Sequence, residues 1–228
     1  MAAFPGKNAS TILTSVLAAE TGRHSGWLED PRARRRFLGV LEYALRAGAP
    51  GASYVIAQVI RQALREGLPY VYAKTSPEAR QVYQWARAVS RELSRLKGLI
   101  RLEPYSGKGR PILIGKAPMR YNLVDLVLAH FARRFPGHRI ILDTGRGIYE
   151  WNYGVRLVKE EFWEEIGKES RGRNAEQCAG DYYATLWEAY YESQIIKGRL
   201  DISRAMRVLP KRYWNWIREG RKLRSFSP

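Results

Sequence analysis

Two stretches in the middle of the chain decide the fold: LIRLEPYSGKGRPILI at residues 99–114 and HRIILDTGRGIYEWNY at residues 138–153. In both, short apolar runs flank a glycine-containing turn, at residues 106–109 in the first and 144–147 in the second. Strand-forming residues on both sides of such a turn are typical of a β-hairpin. The pattern therefore predicts two hairpins, the last strand running from Ile148 to Tyr153.

The segment between the hairpins has a helical pattern. Asn122 is placed to cap a helix that runs from Leu123 to Phe135, where Pro136 and Gly137 follow. The sequence therefore predicts a β-β-α-β-β module, most simply an antiparallel sheet with one face covered by helix. We expect an α+β fold that is mostly helical, with this module at its centre.

Helices are predicted on both sides of the module. Asp30 is placed to cap a helix, and Pro31 follows it at the first helical position. The same signal recurs at Ser76 and Pro77. Apolar residues at helical spacing then predict helices over residues 31–46, 53–66, 77–96 and 175–197, with a further one after Pro210.

Three regions follow from this pattern. Residues 1–29 contain few apolar anchors and are expected to form a flexible or partly helical extension. Residues 30–220 are expected to form a single α+β domain. Residues 221–228 are expected to be a frayed basic tail.

The charge is strongly one-sided. The chain has 228 residues with 39 Lys plus Arg against 22 Asp plus Glu, a net charge of +17, and 29 of the basic residues are arginines. Such a surplus produces a positive field whose commonest partner is a polyanion. Arginine adds a planar donor fork that fits phosphates. The alternative is a generally Arg-rich composition without a functional cause.

Composition also excludes several classes of site. The single cysteine, Cys178, excludes an internal disulfide and a cysteine-ligated iron–sulfur cluster. Three scattered histidines do not form a zinc motif, and no apolar run is long enough to cross a membrane. We expect no cofactor and no metal in this chain, no membrane partner, and a cytoplasmic location.

Arginines cluster on two predicted helices. Arg32, Arg34, Arg35 and Arg36 crowd the first turns of one helix, where cations oppose the helix dipole and favour a bound phosphate. A second group, which continues past its helix to Arg101, could follow a nucleic-acid backbone; it comprises Arg80, Arg87, Arg91, Arg95 and Arg101. A solvated charged face is the alternative for both.

The module carries the candidate catalytic residues. His130, near the end of the predicted helix, could act as a general base or donate to a phosphate. Asp143 ends a predicted strand, and Arg134 and Arg146 lie close by in sequence as candidate phosphate ligands. The alternative is that His130 is a partly buried structural residue and Asp143 only begins a turn.

The last candidate is Lys211-Arg212-Tyr213-Trp214-Asn215-Trp216. Basic residues interleaved with aromatic ones can bind phosphates and stack unpaired bases. We assign Lys211, Arg212 and Trp214 to nucleic-acid binding. The alternative is that the rings pack the last helix against the core.

Several motifs together resemble a known family. They are Leu96-Lys-Gly-Leu-Ile-Arg-Leu, His130-Phe-Ala-Arg-Arg-Phe-Pro, the following Ile-Ile-Leu-Asp, Leu186-Trp-Glu-Ala-Tyr-Tyr-Glu-Ser-Gln-Ile-Ile-Lys and Leu209-Pro-Lys-Arg-Tyr-Trp-Asn-Trp. In this order they resemble the radical-SAM-linked family labelled "probable DNA metabolism protein", over about residues 50 to 220. That family is a domain of unknown function, sometimes fused to a uracil-DNA-glycosylase-like domain.

The resemblance and the charge lead to one expectation. We expect a nucleic-acid-binding accessory protein of DNA repair or modification. DNA is the expected ligand, with RNA as an alternative. The resemblance implies a radical-SAM or glycosylase-like protein partner. The alternatives are a metal-dependent nuclease or nucleobase-processing enzyme using His130 and Asp143, and a protein adaptor that binds no nucleic acid.

Overall fold

The computed structural model describes the helical N-terminal part and the central sheet, with isolated pieces after them. The described residues are 8–20, 26–105, 111–151, 155–158, 186, 189–190, 192–194, 196, 201, 203–204, 207 and 209–214. The predicted turn at 106–109, most of the predicted helix 175–197 and the tail 221–228 lie outside them. The described positions between 186 and 194 are helical.

Four helices come before the longest one. They are α1 (Ala9–Ala19), α2 (Pro31–Leu45), α3 (Ala52–Glu66) and α4 (Leu68–Tyr72), with a 3₁₀ turn at Gly26–Leu28. The Asp30 carboxylate accepts a hydrogen bond from the Arg32 N–H at 2.8 Å, so the predicted cap of α2 is present. Gly51 and Gly67 lie at the ends of α3 with positive φ, which glycine tolerates without steric cost.

The longest helix, α5, spans Pro77–Leu99. The Ser76 hydroxyl caps it by accepting from the Ala79 N–H at 3.1 Å. The prediction placed the end of this helix at Leu96, but the helix continues through Gly98 to Leu99. Because the last turn takes in those residues, the first strand begins only at Leu102.

Five strands form one sheet in the order β1-β2-β3-β4-β5. Their bounds are β1 (Leu102–Tyr105), β2 (Ile112–Lys116), β3 (Arg139–Asp143), β4 (Ile148–Trp151) and β5 (Val155–Leu157). The mixed α+β class is confirmed, as are both hairpin pairings.

The prediction of an all-antiparallel sheet is wrong at one pairing. Strands β2 and β3 are parallel neighbours, with Ile114 opposite Ile141. The helix between them, α6 (Val124–Arg134), is a crossover that returns the chain to the same end of the sheet. The structure also contains a strand that was not predicted: β5 pairs antiparallel with β4, with Val155 opposite Trp151. The last two residues of the predicted strand, 152 and 153, lie outside the described residues.

Two large apolar clusters form most of the core of the described residues, and α5 belongs to both. A small third cluster contains Ile112 and Ile141 of the sheet. In the first cluster, α5 contributes Ala79, Val82 and Ala86 to packing against α1, α2 and α3. In the second, its later residues pack against α6 and the sheet; they are Val89, Leu93 and Leu96. A bidentate pair, Arg46–Asp125, with both N–O distances at 2.7 Å, joins the end of α2 to the start of α6.

Helix α1 belongs to the first cluster. Its Ile12, Leu13 and Val16 are buried there. Asn8 caps the helix, and the Ala9 N–H donates to a Glu42 carboxylate oxygen on α2 at 2.7 Å. The division of the chain at residue 30 stays a prediction.

Candidate nucleic-acid interface

One side of α5 carries a row of guanidinium groups. Arg80, Arg87 and Arg91 are exposed and Arg95 is half-buried. Spacings of seven, four and four residues put them on one side of a helix, over about 22 Å at 1.5 Å per residue. We call these four residues the α5 arginine row.

The α5 arginine row has few acids near it, and of these Glu78 interacts electrostatically with Arg80. The only carboxylates on α5 are Glu78 and Glu92. Glu78 accepts from the Gln62 amide, and Glu92 is buried and pairs with Arg212. Within the described part of the chain, no ion pair involves an arginine of the row. Their positive charge is therefore available to an anion in solvent.

Arg101 lies beyond this row. It follows the end of α5, and its guanidinium donates to the Gly98 carbonyl at 3.1 Å, at the helix C-terminus. Such a bond satisfies a terminal carbonyl of the helix. The structure thus gives Arg101 a local capping contact. Arg91 also makes a local contact, because its Nε–H donates to the Arg87 carbonyl at 3.3 Å.

The C-terminal basic-aromatic segment is docked on α5. Trp214 is only 3% exposed, and its indole N–H donates to the Leu209 carbonyl at 2.9 Å. Tyr213 is fully buried among residues of the second cluster. The assignment of Trp214 to base stacking is therefore corrected: its ring is packed in the protein and has no free face for a base.

Arg212 anchors this segment through a polar network. Its guanidinium forms a short ion pair with the buried carboxylate of Glu92 and donates to the Tyr213 hydroxyl at 2.9 Å. Burial, followed by the hydrogen bond to Glu92, raises the pKa of Tyr213 to about 12. The guanidinium of Arg212 is therefore engaged in a structural ion pair with Glu92. Lys211 is exposed and lies 5.8 Å from the Trp214 ring.

His130 lies in a second group of basic residues, on α6. Burial lowers its pKa from the ordinary 6.5, and the charges of Lys97, Arg134 and Arg133 lower it further. The neutral imidazole is therefore favoured at pH 7. Among the described residues no carboxylate contributes to this shift, so within them His130 has no acidic partner of the kind that orients a catalytic base.

The carboxylate of Asp143 forms a hydrogen bond within the turn that Asp143 begins. Its carboxylate accepts from the Gly145 N–H at 2.8 Å, and the Thr144 hydroxyl donates to the Gly147 carbonyl at 2.8 Å. Gly145 has φ +73°, which this turn requires. Arg146 is exposed at the tip of the same turn. The structure shows no contact between His130 and Asp143 and supports the turn interpretation of Asp143.

Two kinds of feature are absent from the described ranges. Across them, no three His, Cys, Asp or Glu side chains come together in a way that could hold a metal ion. Among the same residues, no helix is long and apolar enough to cross a membrane. Glu150, the acid nearest to Asp143 in the hairpin, forms an ion pair with Arg139.

A cleft between α2 and α5 is the feature that the sequence analysis missed. It has a volume of about 450 Å³ and is lined by Arg36, Lys74, Tyr83 and Arg87, among others. These residues are far apart in sequence, so no linear motif joins them. One signal was present: Gly39 lies in the middle of a helix, where glycine is unfavourable.

The comparison with protein families decides the affiliation. The model of the family described as a domain of unknown function, DUF4130, matches residues 50–219. The chain belongs to the DUF4130 family. No curated protein and no solved structure matches it.

The DUF4130 match includes the candidate site residues from Arg91 to Trp214. It begins at residue 50, so α1 and α2 lie before it. The cleft is therefore built from both parts of the chain: Arg36 and Gly39 precede the match, whereas Lys74, Tyr83 and Arg87 belong to it.

Proposed function

We propose that this DUF4130 protein binds nucleic acid, with DNA as its partner, along the exposed side of α5. The observation that carries the proposal is the α5 arginine row, in which no arginine forms an ion pair within the described residues. At a rise of 3.4 Å per nucleotide along one strand, a row of about 22 Å matches roughly six nucleotides of backbone.

Other basic residues extend this surface. Arg32, Arg35 and Arg36 are exposed on α2, the helix packed against α5. Lys97, Arg133 and Arg134 surround His130 near the other end of α5. Lys211 and Arg146 are exposed as well and remain candidate phosphate ligands. A surface of this kind supplies affinity without reading sequence.

The role that we propose is accessory. His130 and Asp143 are not joined into an acid–base pair, and Asp143 is held by its own turn. The resemblance to the radical-SAM-linked "probable DNA metabolism protein" family supports a function in DNA repair or modification beside a partner that carries out the chemistry. The competing functions, a nuclease and a protein adaptor, become outcomes of the tests.

The experiment is fluorescence anisotropy with labelled single- and double-stranded DNA across a salt series. We expect binding whose log–log salt slope is steep, and a triple variant, Arg87→Gln, Arg91→Gln and Arg95→Gln, whose slope is smaller by about 2–3 units, at roughly 0.7–0.9 per lost phosphate contact.

The matched control removes the same net charge elsewhere. Arg65→Gln, Arg156→Gln and Arg204→Gln change exposed arginines on α3, on β5 and in the C-terminal part. This variant should retain the slope of the wild-type protein. Equal losses in both triple variants would show a diffuse charge effect, and no binding at low salt would end the proposal. Oligonucleotide cleavage with Mg²⁺ or Mn²⁺ would favour the nuclease.

A further inference from the structure

The charged residues that line the cleft between α2 and α5 are all cations. Arg36 from α2, Lys74 from the turn before α5 and Arg87 from α5 line it together. No carboxylate is part of the lining, and within the described ranges none of the three cations forms an ion pair. Cations gathered in a concave site without acids concentrate positive potential and favour an anion.

The rest of the lining is mostly aromatic and apolar and comes from both helices. Val40 and Tyr43 of α2 and Tyr83 and Ala86 of α5 form this aromatic wall. The cations already lie against rings, with Lys74 Nζ 5.3 Å from the Tyr83 ring centre and Arg36 5.4 Å from that of Tyr72. Burial raises the pKa of Tyr83 to about 12, so its hydroxyl keeps its proton at any physiological pH. A flat ring system could rest on such a wall.

Gly39 leaves open space in the lining of the cleft. It lies inside α2, where alanine would form a better helix, and a Cβ built on it meets no atom within 4 Å. Neighbouring side chains therefore do not require glycine here. Its effect is to leave space that a side chain would fill.

Lys74, which also lines the cleft, has an unfavourable backbone conformation. It has φ +58° and is the only non-glycine residue with positive φ among the residues that the structure describes. Glycine or asparagine would adopt this conformation more easily. An ammonium group held over the cleft by an unfavourable backbone is consistent with a role for its charge.

We infer that the cleft between α2 and α5 binds one phosphorylated nucleoside unit, with its phosphate on Arg36, Lys74 and Arg87 and its base against Tyr43 and Tyr83. The volume of about 450 Å³ lies within the range of roughly 300–1,000 Å³ that is usual for small-molecule sites. The unit is either a free nucleotide or a residue of a bound strand. The strand source rests on the proposed function, because Arg87 also belongs to the α5 arginine row.

The test uses the four deoxynucleoside 5′-monophosphates, inorganic phosphate and a six-nucleotide single strand as probes in calorimetric titrations. The main variant is Gly39→Leu, which fills the cleft and removes no charge. Gly39→Ala is the matched control, because a single methyl group leaves most of the space. Thermal unfolding checks that both variants fold, and Lys74→Gln provides an independent test by charge.

For a free-nucleotide site, we expect at least one monophosphate to bind more tightly than inorganic phosphate. Gly39→Leu should weaken that binding at least tenfold and Gly39→Ala less than threefold. For a strand site, we expect the monophosphates to bind weakly. Gly39→Leu should then weaken binding of the six-nucleotide strand at least tenfold.

The two proposals fail separately. If the strand binds Gly39→Leu and Lys74→Gln as it binds the wild-type protein and no monophosphate binds, the inference is overturned and the proposed function stands. If a monophosphate binds in the cleft but no strand binds, the proposed function fails and the inference stands. Equal affinity for phosphate and nucleotides would overturn the assignment of a base to the aromatic wall.

Discussion

At the residue scale, Glu92 is a buried carboxylate that needs a cationic partner. Its carboxylate is 2% exposed and depends on Arg212, on a segment about 120 residues further along the chain. A buried carboxylate without its cation keeps its desolvation cost and loses the compensating attraction. The contact therefore fixes the C-terminal segment to α5.

We predict that Arg212→Ala lowers the free energy of unfolding by about 2 kcal/mol. This is below the roughly 3–5 kcal/mol for breaking a fully buried pair, because Arg212 is 40% exposed. Urea denaturation measures the change, with Lys211→Ala as the exposed neighbouring control. Adding Glu92→Gln to Arg212→Ala should restore part of the stability, and a strictly additive double variant would contradict the pairing.

His130 should make folding stability depend on pH. Its pKa is lowered in the folded state, so between the folded and unfolded values the unfolded chain binds more protons. The contribution is present above the unfolded pKa of about 6.5 and is lost as the pH falls below it. We predict that His130→Gln flattens the stability profile below about pH 6.5 in urea titrations. Identical profiles for both proteins would count against a lowered pKa.

The structural roles of individual residues could be predicted only in part from the sequence. Caps such as Ser76 and Asp30 were predicted correctly because the signal lies within four residues. The burial of Trp214 was not, since basic-aromatic segments look alike whether they bind bases or pack on a core. Only the tertiary contact of Arg212 with Glu92 separates the two interpretations.

At the element scale, the sheet shows what local patterns miss. Hairpins are encoded by their turns, and both antiparallel pairings were predicted. The parallel pairing of β2 with β3 joins segments separated by a helix. A signal was available: Ile112-Leu-Ile and Ile140-Ile-Leu are continuous apolar runs, which are typical of central strands covered on both faces.

Close packing at Gly115 gives a prediction for the sheet. A Cβ there would lie 2.8 Å from Leu102 Cδ2, 3.1 Å from Ile100 Cγ2 and 3.1 Å from Leu142 Cδ2. We therefore expect Gly115→Ala to destabilise the protein by about 1–3 kcal/mol through overpacking. Calorimetric melting tests this. Gly98→Ala is the control: a Cβ there meets nothing within 4 Å, and alanine should stabilise α5 by about 0.5–1 kcal/mol. Equal changes in both variants would refute the packing argument.

At the scale of the whole molecule, net charge was readable from the sequence but its arrangement was not. A surplus of +17 predicts a polyanion partner without locating the surface. The cleft depends on α2 packing beside α5, which brings Arg36 and Arg87 together across about 50 residues of chain. Such sites are created by tertiary packing, and only a lone helical glycine, Gly39, indicated it beforehand.

The sharing of α5 between two clusters predicts a single unfolding unit. Its first half packs in the helical cluster and its second half in the cluster with the sheet, so neither can unfold without disrupting α5. We predict that Leu13→Ala, in the first cluster, and Leu128→Ala, in the second, each cost about 2–4 kcal/mol. Both should shift one common urea transition, seen alike by tryptophan fluorescence and far-ultraviolet circular dichroism. Two separated transitions, only one of which moves in Leu13→Ala, would show instead that the clusters unfold independently.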